Sequence, residues 1–322
     1  EYPENLFKSF DYNAFAAATI GQVHHAKDFD GVNLVVKVQY PNVKKSIQSD
    51  IKLLSFFGKK FFKEVDLEKY LEEIKVNLIK ETDYLNEGSN IEKFRELFSE
   101  EKIIFPEYKK SNSNEQVLTM TFLEGDHLDQ LLKKKPDQNK RNNFGQILWN
   151  FFHKNINSSN NIFHADVHPG NFLFSEDGKV GVIDFGCIKV FPEKFIKSCV
   201  RLVQNHLKGL HDDFLHELVC MGFIKNLSNL NDKEQKIEKL FRSLAKLLGS
   251  IYEKSNFDFG NKKFREDLNS LFQKGFEIRE VRGSEQFIFF NRITFGLMSM
   301  LIKLEAKIET SEARRIILNA DC

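Results

Sequence analysis

The chain has 322 residues, with 47 Lys and Arg against 46 Asp and Glu and only four cysteines. That length suffices for two domains or one bilobal domain whose parts each bury a core, and a net charge of +1 supplies no long-range field to gather nucleic acid or an acidic membrane. Cys187, Cys199, Cys220 and Cys322 are widely spaced without a C-x-x-C pair, which argues against a disulfide framework or a cysteine-rich zinc site and fits a reducing compartment.

The sequence begins at Glu1 rather than a methionine, as a processed or truncated chain would, with any targeting segment upstream out of view. "GVNLVVKVQY" (31–40) is β-branched and apolar between a Gly turn and Pro41, and predicts a strand. From Val43 to about Phe98 there is no proline and apolar residues recur at helical spacing, which predicts two or three helices. "IIFPEYKK" and "EQVLTMTFLEG" (115–125) read as strands, with a boundary near residue 124 where an amphipathic helical stretch begins. "LLKKKPDQNKR" (131–141) reads as solvated loop.

"RNNFGQILWNFFHKNI" (141–156) predicts an apolar helix with Trp149 in the core. "HADVHPGN" (164–171) reads as a short strand breaking into a loop, and "NFLFSEDGKVGVIDFG" (171–186) as two short strands joined by the turn "SEDG". The rest, from Pro192, is nearly all helical by period. The longest apolar run, "FGLMSMLI" (295–302) between Arg292 and Lys303, falls short of the roughly 18 to 20 residues a membrane helix needs. The longer stretch 287–308 reads as a core helix in preference to a membrane-surface one. The expected fold class is α+β: a small mixed part, 1–124, before a larger mostly helical part, 125–322, carrying one hairpin. There is no internal repeat, and the 33 phenylalanines carry no functional signal.

Chemistry concentrates at Asp166, Asn171 and Asp184, which the predicted hairpin brings to one end. Pro169 breaks any helix that would place His164 and His168 on one face, so a helical zinc motif is disfavoured. Phosphoryl transfer needs magnesium on the phosphates, hard oxygen ligands to hold it and an acid at the attacking hydroxyl. Asp184 and Asn171 suit the metal, and Asp166 suits the base. H-x-D and D-F-G together, at kinase spacing, make a strong signal. Lys37 sits inside an apolar strand, where a cation is costly unless an anion meets it. Glu81 and Glu87 are both candidate partners, and spacing does not choose between them. The glycine-rich nucleotide loop expected upstream is replaced by "AFAAATIGQVHHA" (14–26), where Ala16, Ala17 and Ala18 do not take φ > 0 as glycine does. His164 reads as a structural residue, His168 as outside the chemistry, and His24 and His25 as strand residues.

"AAATIGQVHHA", "VVKVQYPNV", "ETDYLNEG", "HADVHPGN" and "VIDFGCIK", in this order over about residues 6–190, closely resemble the UbiB-type atypical kinases, the aarF-domain family linked to coenzyme Q biosynthesis and lipid homeostasis. The resemblance implies a protein-kinase-like bilobal fold, with an N-lobe over 1–124 carrying inserted helices and a helical C-lobe over 125–322. It implies ATP or ADP with Mg²⁺ as cofactors. Ala16, Ala17, Ala18 and Thr19 become the nucleotide loop, Lys37 the phosphate-binding lysine and Glu87 its salt-bridge partner. Glu81 and Asp83 become the E-x-D acids, Asp166 the catalytic aspartate, and Asn171 and Asp184 the metal ligands. Met120 to Leu123, with Met120 and Phe122 in the lead, becomes the hinge that faces adenine through backbone groups. The family's K-x-G-Q motif, which lies in a helical extension before the small lobe that the resemblance casts as a block to protein substrates, is absent from these 322 residues, which leaves open whether the site is covered.

Three readings of function follow. The first is an atypical kinase or ATPase of the UbiB type, acting on a small molecule or hydrolysing ATP in support of ubiquinone or other isoprenoid-quinone biosynthesis, or of lipid homeostasis. The second, a conventional protein kinase, is disfavoured: after Gly186 only "CIKVFPEK" precedes the next helix, with no A-P-E anchor for a peptide. The third is a nucleotide-binding switch or scaffold for partner proteins. The resemblance further implies lipid, quinone-precursor or membrane-surface association and biosynthetic-complex partners, without nucleic acid. It implies a mitochondrion or plastid in a eukaryote, or the cytoplasm or inner membrane face in a bacterium, with no transmembrane segment in the chain.

Overall fold

The computed structural model describes residues 2–18, 20–61, 78–79, 82–98, 102–156, 161–225, 229–277 and 285–319. Two compact units emerge, and the first is not continuous in sequence. Glu1–Glu124 is joined by Gly181–Cys187, while Gly125–Val180 and Ile188–Cys322 form the second.

The first unit contains α1 (Pro3–Leu6), β1 (Ser9–Phe10), β2 (Ala16–Ala18), β3 (Gly21–Lys27), β4 (Asn33–Gln39), α2 (Val43–Phe61), α3 (Tyr84–Leu97), β5 (Ile103–Ile104) and β6 (Val117–Thr121). An antiparallel sheet runs β1-β3-β4-β6, with β2 also paired to β3. Opposed residues in such a sheet share a face. The register Val23↔Lys37↔Leu118 and His25↔Val35↔Met120 therefore puts these six side chains on one side. The other side carries Ala26, Leu34 and Val36, which bury with Phe7 as a core cluster. α3 starts where Asp83 accepts a hydrogen bond from the Asn86 amide at 3.0 Å, the ordinary satisfaction of an orphan N-terminal donor.

The second unit holds α4 (Leu128–Lys133), α5 (Gln138–Ile156), β7 (Ile162–His164), β8 (Phe172–Phe174), then β9 (Val180–Val182), along which the chain passes into the first unit. It resumes with β10 (Ile188–Val190), α6 (Glu193–Lys208), α7 (His211–Cys220), α8 (Asp232–Gly249), β11 (Asn256–Asp258), α9 (Lys262–Glu277), α10 (Glu285–Leu304), β12 (Lys307–Glu309) and α11 (Ser311–Asn319). Leu202, Phe214, Leu218, Phe223 and Phe241 centre one core cluster. Trp149 on α5 is 1% exposed. The α+β character expected from the sequence is what the two units display, sheet-rich first and helical second.

Three expectations need correction. The lysine-rich stretch 131–141 is not one loop: it ends α4 and begins α5, because Leu128 and Leu131 at i, i+3 bury a face that outweighs the charges around it. An antiparallel pair, β11 with β12, joins segments about 50 residues apart in the region read as nearly all helical. Finally, Gln286–Leu304 is, by length and composition alone, apolar enough to cross a membrane. The shorter run counted from the sequence stopped at Arg292, whereas the average over the helix absorbs Asn291, Arg292 and Thr294. Ile293, Leu297, Met298, Met300, Leu301 and Leu304 are all buried in the second unit, the pattern of a core helix.

Candidate active site

Lys37 occupies the centre of β4 with apolar neighbours, and its side chain is 8% exposed. An ammonium buried there requires counter-charge. α3 supplies it through Glu87, whose Oε1 lies 2.7 Å from Lys37 Nζ; Asp184 Oδ2 lies at 3.3 Å. Burial opposes the charge on Lys37, but Asp184 and Glu87 outweigh it and hold the ammonium above its usual pKa. For Glu87 burial is the largest influence and pushes the carboxyl up, against the pull of Lys37. Glu81 and Thr19 lie outside the described residues.

The segment that carries Asp184 is clamped to α3 at the next residue. The Phe185 amide donates to Glu87 Oε1 at 3.2 Å, and Asn90 Nδ2 donates to the Phe185 carbonyl at 3.1 Å. The Phe185 ring is fully buried, with Phe94 at 5.5 Å and Phe105 at 5.8 Å between centroids. α3 therefore fixes both the lysine's counter-ion and the backbone that aims Asp184. Nothing in the sequence reading singled out Asn90; its only local signal is a polar residue one turn after Glu87. Asp184 Oδ1 accepts from the Gly186 amide at 3.0 Å, and its side chain is 42% exposed.

The sheet face shared by Lys37, Val35 and Met120 ends in an aromatic group that was also unforeseen. Phe15 stacks on His25 with centroids 3.8 Å apart, and Phe122 meets the His25 ring edge-on at 5.2 Å. The Phe122 amide itself donates to the Asn33 carbonyl, and Met120 is buried. Ala16, Ala17 and Ala18 form a regular strand against Val23, Gln22 and Gly21, with no residue at positive φ among them. Gln39 Nε2 ties this sheet to the turn before α3 by donating to the Thr82 carbonyl at 2.8 Å.

In the second unit the loop after β7 gathers Asp166 and Asn171. Asn171 Nδ2 donates to the Asp166 carbonyl at 3.0 Å and to Asp166 Oδ2 at 2.8 Å. The Asn171 side chain thus spends its amide nitrogen on the loop, and Oδ1 is its acceptor atom. His168 Nδ1 accepts from the Gly170 amide at 3.1 Å and shapes the Pro-Gly corner. His164 is 3% exposed and pairs through its backbone with Ile188. Arg292 of α10 forms an ion pair with Asp166 Oδ1, a contact with no sequence signal. Asp184 in the first unit and Asn171 in the second each carry oxygen atoms, the ligand chemistry that Mg²⁺ demands.

Comparison with known proteins follows the same lines. The chain is 29% identical over 266 residues to the mitochondrial atypical kinase COQ8 of Saccharomyces cerevisiae, covering 79% of this chain and 50% of that protein. It is 30% identical over 249 residues to AarF domain-containing protein kinase 1 of Gallus gallus, covering 71% and 48%. The chain spans about half the length of these two curated relatives. Among solved structures, Rv3197 of Mycobacterium tuberculosis in complex with erythromycin matches with a TM-score of 0.75 at 21% identity, over 97% of this chain and 78% of that one, a likeness of fold. Residues 1–214 match the family model described as the ABC1 atypical kinase-like domain, and the chain belongs to that family of UbiB-type, aarF-domain atypical kinases.

Proposed function

We propose that this chain binds ATP with Mg²⁺ and transfers or releases the γ-phosphoryl group, in support of ubiquinone or related isoprenoid-quinone and lipid metabolism. The observation that carries the reading is the ion-pair cluster of buried Lys37 and Glu87 with partly exposed Asp184. A buried cation held charged beside a partly exposed carboxylate is a phosphate-binding arrangement and costs too much to serve packing alone. Asp184 and Asn171 would hold the metal, which when bound supplies charge neutralisation at the phosphates.

The remaining roles belong to the chain itself. Lys37 binds phosphate oxygens. Glu87 and Asn90 orient the Asp184 segment, Ala16 to Thr19 and the Met120–Leu123 backbone enclose the nucleotide, and Asp166 takes the proton of the attacking hydroxyl. Glu81 and Asp83 are assigned to the family's E-x-D pair; in the structure Asp83 also caps α3. The names of the relatives, mitochondrial and chloroplastic among them, support an organellar or, in a bacterium, membrane-proximal setting with biosynthetic partners.

The test is thermal stability with ATP or ADP, with and without Mg²⁺, followed on the same sample by phosphate release. Ligand binding raises the midpoint by mass action. Mg²⁺-dependent stabilisation with phosphate release supports the reading; no stabilisation by either nucleotide rejects it.

A further inference from the structure

The loop that carries Asp166, residues 164–171, contains no lysine or arginine. His164 is buried, and His168 Nδ1 accepts a hydrogen bond within the loop. The positive charge at the carboxylate comes instead from Arg292, far downstream and beyond the residues 1–214 that match the family model. Both carboxylate oxygens are thereby engaged, Oδ2 by Asn171 and Oδ1 by Arg292.

This contact is built into the packing. One turn after Arg292, Gly296 lies against the residue next to Asp166: a Cβ at Gly296 would sit 2.1 Å from the Val167 carbonyl oxygen and 3.0 Å from Val167 Cβ. Only glycine permits that approach. Ile293 and Leu297 are buried beside it, which fixes the rotation of α10, and Arg292 meets Asp166 with its side chain 55% exposed. An exposed guanidinium can leave one carboxylate for another anion at little cost, since its fork suits phosphate and carboxylate alike.

We propose that Arg292 is a specificity-determining residue that holds Asp166 closed until an acceptor bearing an anionic group draws the guanidinium away. This rests on the reading of Asp166 as the base. The released Oδ1 then takes the proton of the acceptor hydroxyl. As it does so, the acceptor oxygen bonds to the γ-phosphorus, the bond from that phosphorus to the β–γ bridging oxygen breaks, and ADP leaves with that electron pair. Water carries no anion to displace Arg292, so hydrolysis stays slow and a hydroxyl compound bearing phosphate or carboxylate is favoured.

The experiment compares the parent with Arg292→Gln, Arg292→Lys, Asp166→Asn and the double variant Asp166→Asn with Arg292→Gln, all with ATP and Mg²⁺. The readouts are nucleotide-induced stabilisation, ADP formation in buffer, and ADP formation with the matched probes glycerol and glycerol 3-phosphate. Arg292→Gln is expected to form ADP about fivefold faster in buffer, the change an exposed ion pair can hold back, with Arg292→Lys between it and the parent. The double variant is expected to fall to the level of Asp166→Asn. In the parent, glycerol 3-phosphate is expected to stimulate ADP formation more than glycerol, and in Arg292→Gln the two probes are expected to act alike. ADP formation in Arg292→Gln at or below the parental rate, with nucleotide stabilisation intact, overturns the proposal, and so does an equal or absent response to the two probes in the parent. A parental rate in Asp166→Asn instead removes Asp166 as the base, a separate failure.

Discussion

Lys37 and Glu87 meet at 2.7 Å with side chains 8% and 4% exposed, and Glu87 Oε1 also receives the Phe185 amide. One carboxylate therefore settles the lysine's charge and the backbone of the D-F-G segment. Glu87→Ala is expected to cost about 3 kcal/mol or more, because it leaves a buried ammonium short of a partner. Replacing both residues, Lys37→Met with Glu87→Leu, is expected to cost less than the single change. Urea unfolding of the parent and the two variants checks this, and a double variant at or below the stability of Glu87→Ala would contradict it.

Asp184→Asn removes a charge from an oxygen ligand set while leaving the Phe185 packing intact. Mg²⁺-dependent nucleotide binding is expected to vanish while the chain still folds, because the change removes a metal-ligand charge rather than a core contact. Titration calorimetry with and without Mg²⁺ decides, and unchanged Mg²⁺-nucleotide affinity would remove Asp184 from the metal site.

Gly88 follows Glu87 on α3, and a Cβ there would lie 2.4 Å from the Tyr108 ring. Gly88→Ala is expected to destabilise the protein by about 1–3 kcal/mol through overpacking, and to weaken nucleotide binding because α3 must shift away with Glu87. Gly88→Ala with Tyr108→Leu makes room and should recover both. Binding that stays parental in Gly88→Ala would show that α3 does not govern the lysine.

His153 sits on α5 between the Trp149 carbonyl and the Tyr252 hydroxyl, each at 2.8 Å, and burial pushes its pKa down to about 4. Because the unfolded imidazole titrates near 6.5, the unfolded chain binds the proton first as pH falls. This contribution is fully present above about pH 6.5 and is lost toward pH 4, up to about 3 kcal/mol. His153→Gln is expected to flatten that part of the curve. Urea unfolding at pH 7.5 and at pH 5 measures it; equal slopes in parent and variant would show that another group carries the acid limb.

The elements most legible in the sequence were those with a local signature. The β-branched run around Lys37, the turn "SEDG" and the apolar periods of α5 and α10 each announce their own secondary structure. The contacts that were not legible are tertiary. Arg292 and Asp166 stand 126 positions apart, and no spacing rule connects them. Spacing left Glu81 and Glu87 equivalent, whereas the fold puts Glu87 on Lys37 because the N-cap at Asp83 sets the phase of α3. The pairing of β11 with β12 escaped for the same reason, since strands of three residues carry almost no period.

The return of residues 181–187 to the first unit has a consequence for how the chain is made. Phe94, Phe98 and Phe105 are synthesised well before Phe185, the ring that completes their cluster. During translation the amino-terminal unit must wait, its aromatic pocket open, until the ribosome has passed the D-F-G segment. A nascent chain arrested before that point exposes unfilled aromatic surface and is a natural client for a chaperone, while one arrested soon after it can close.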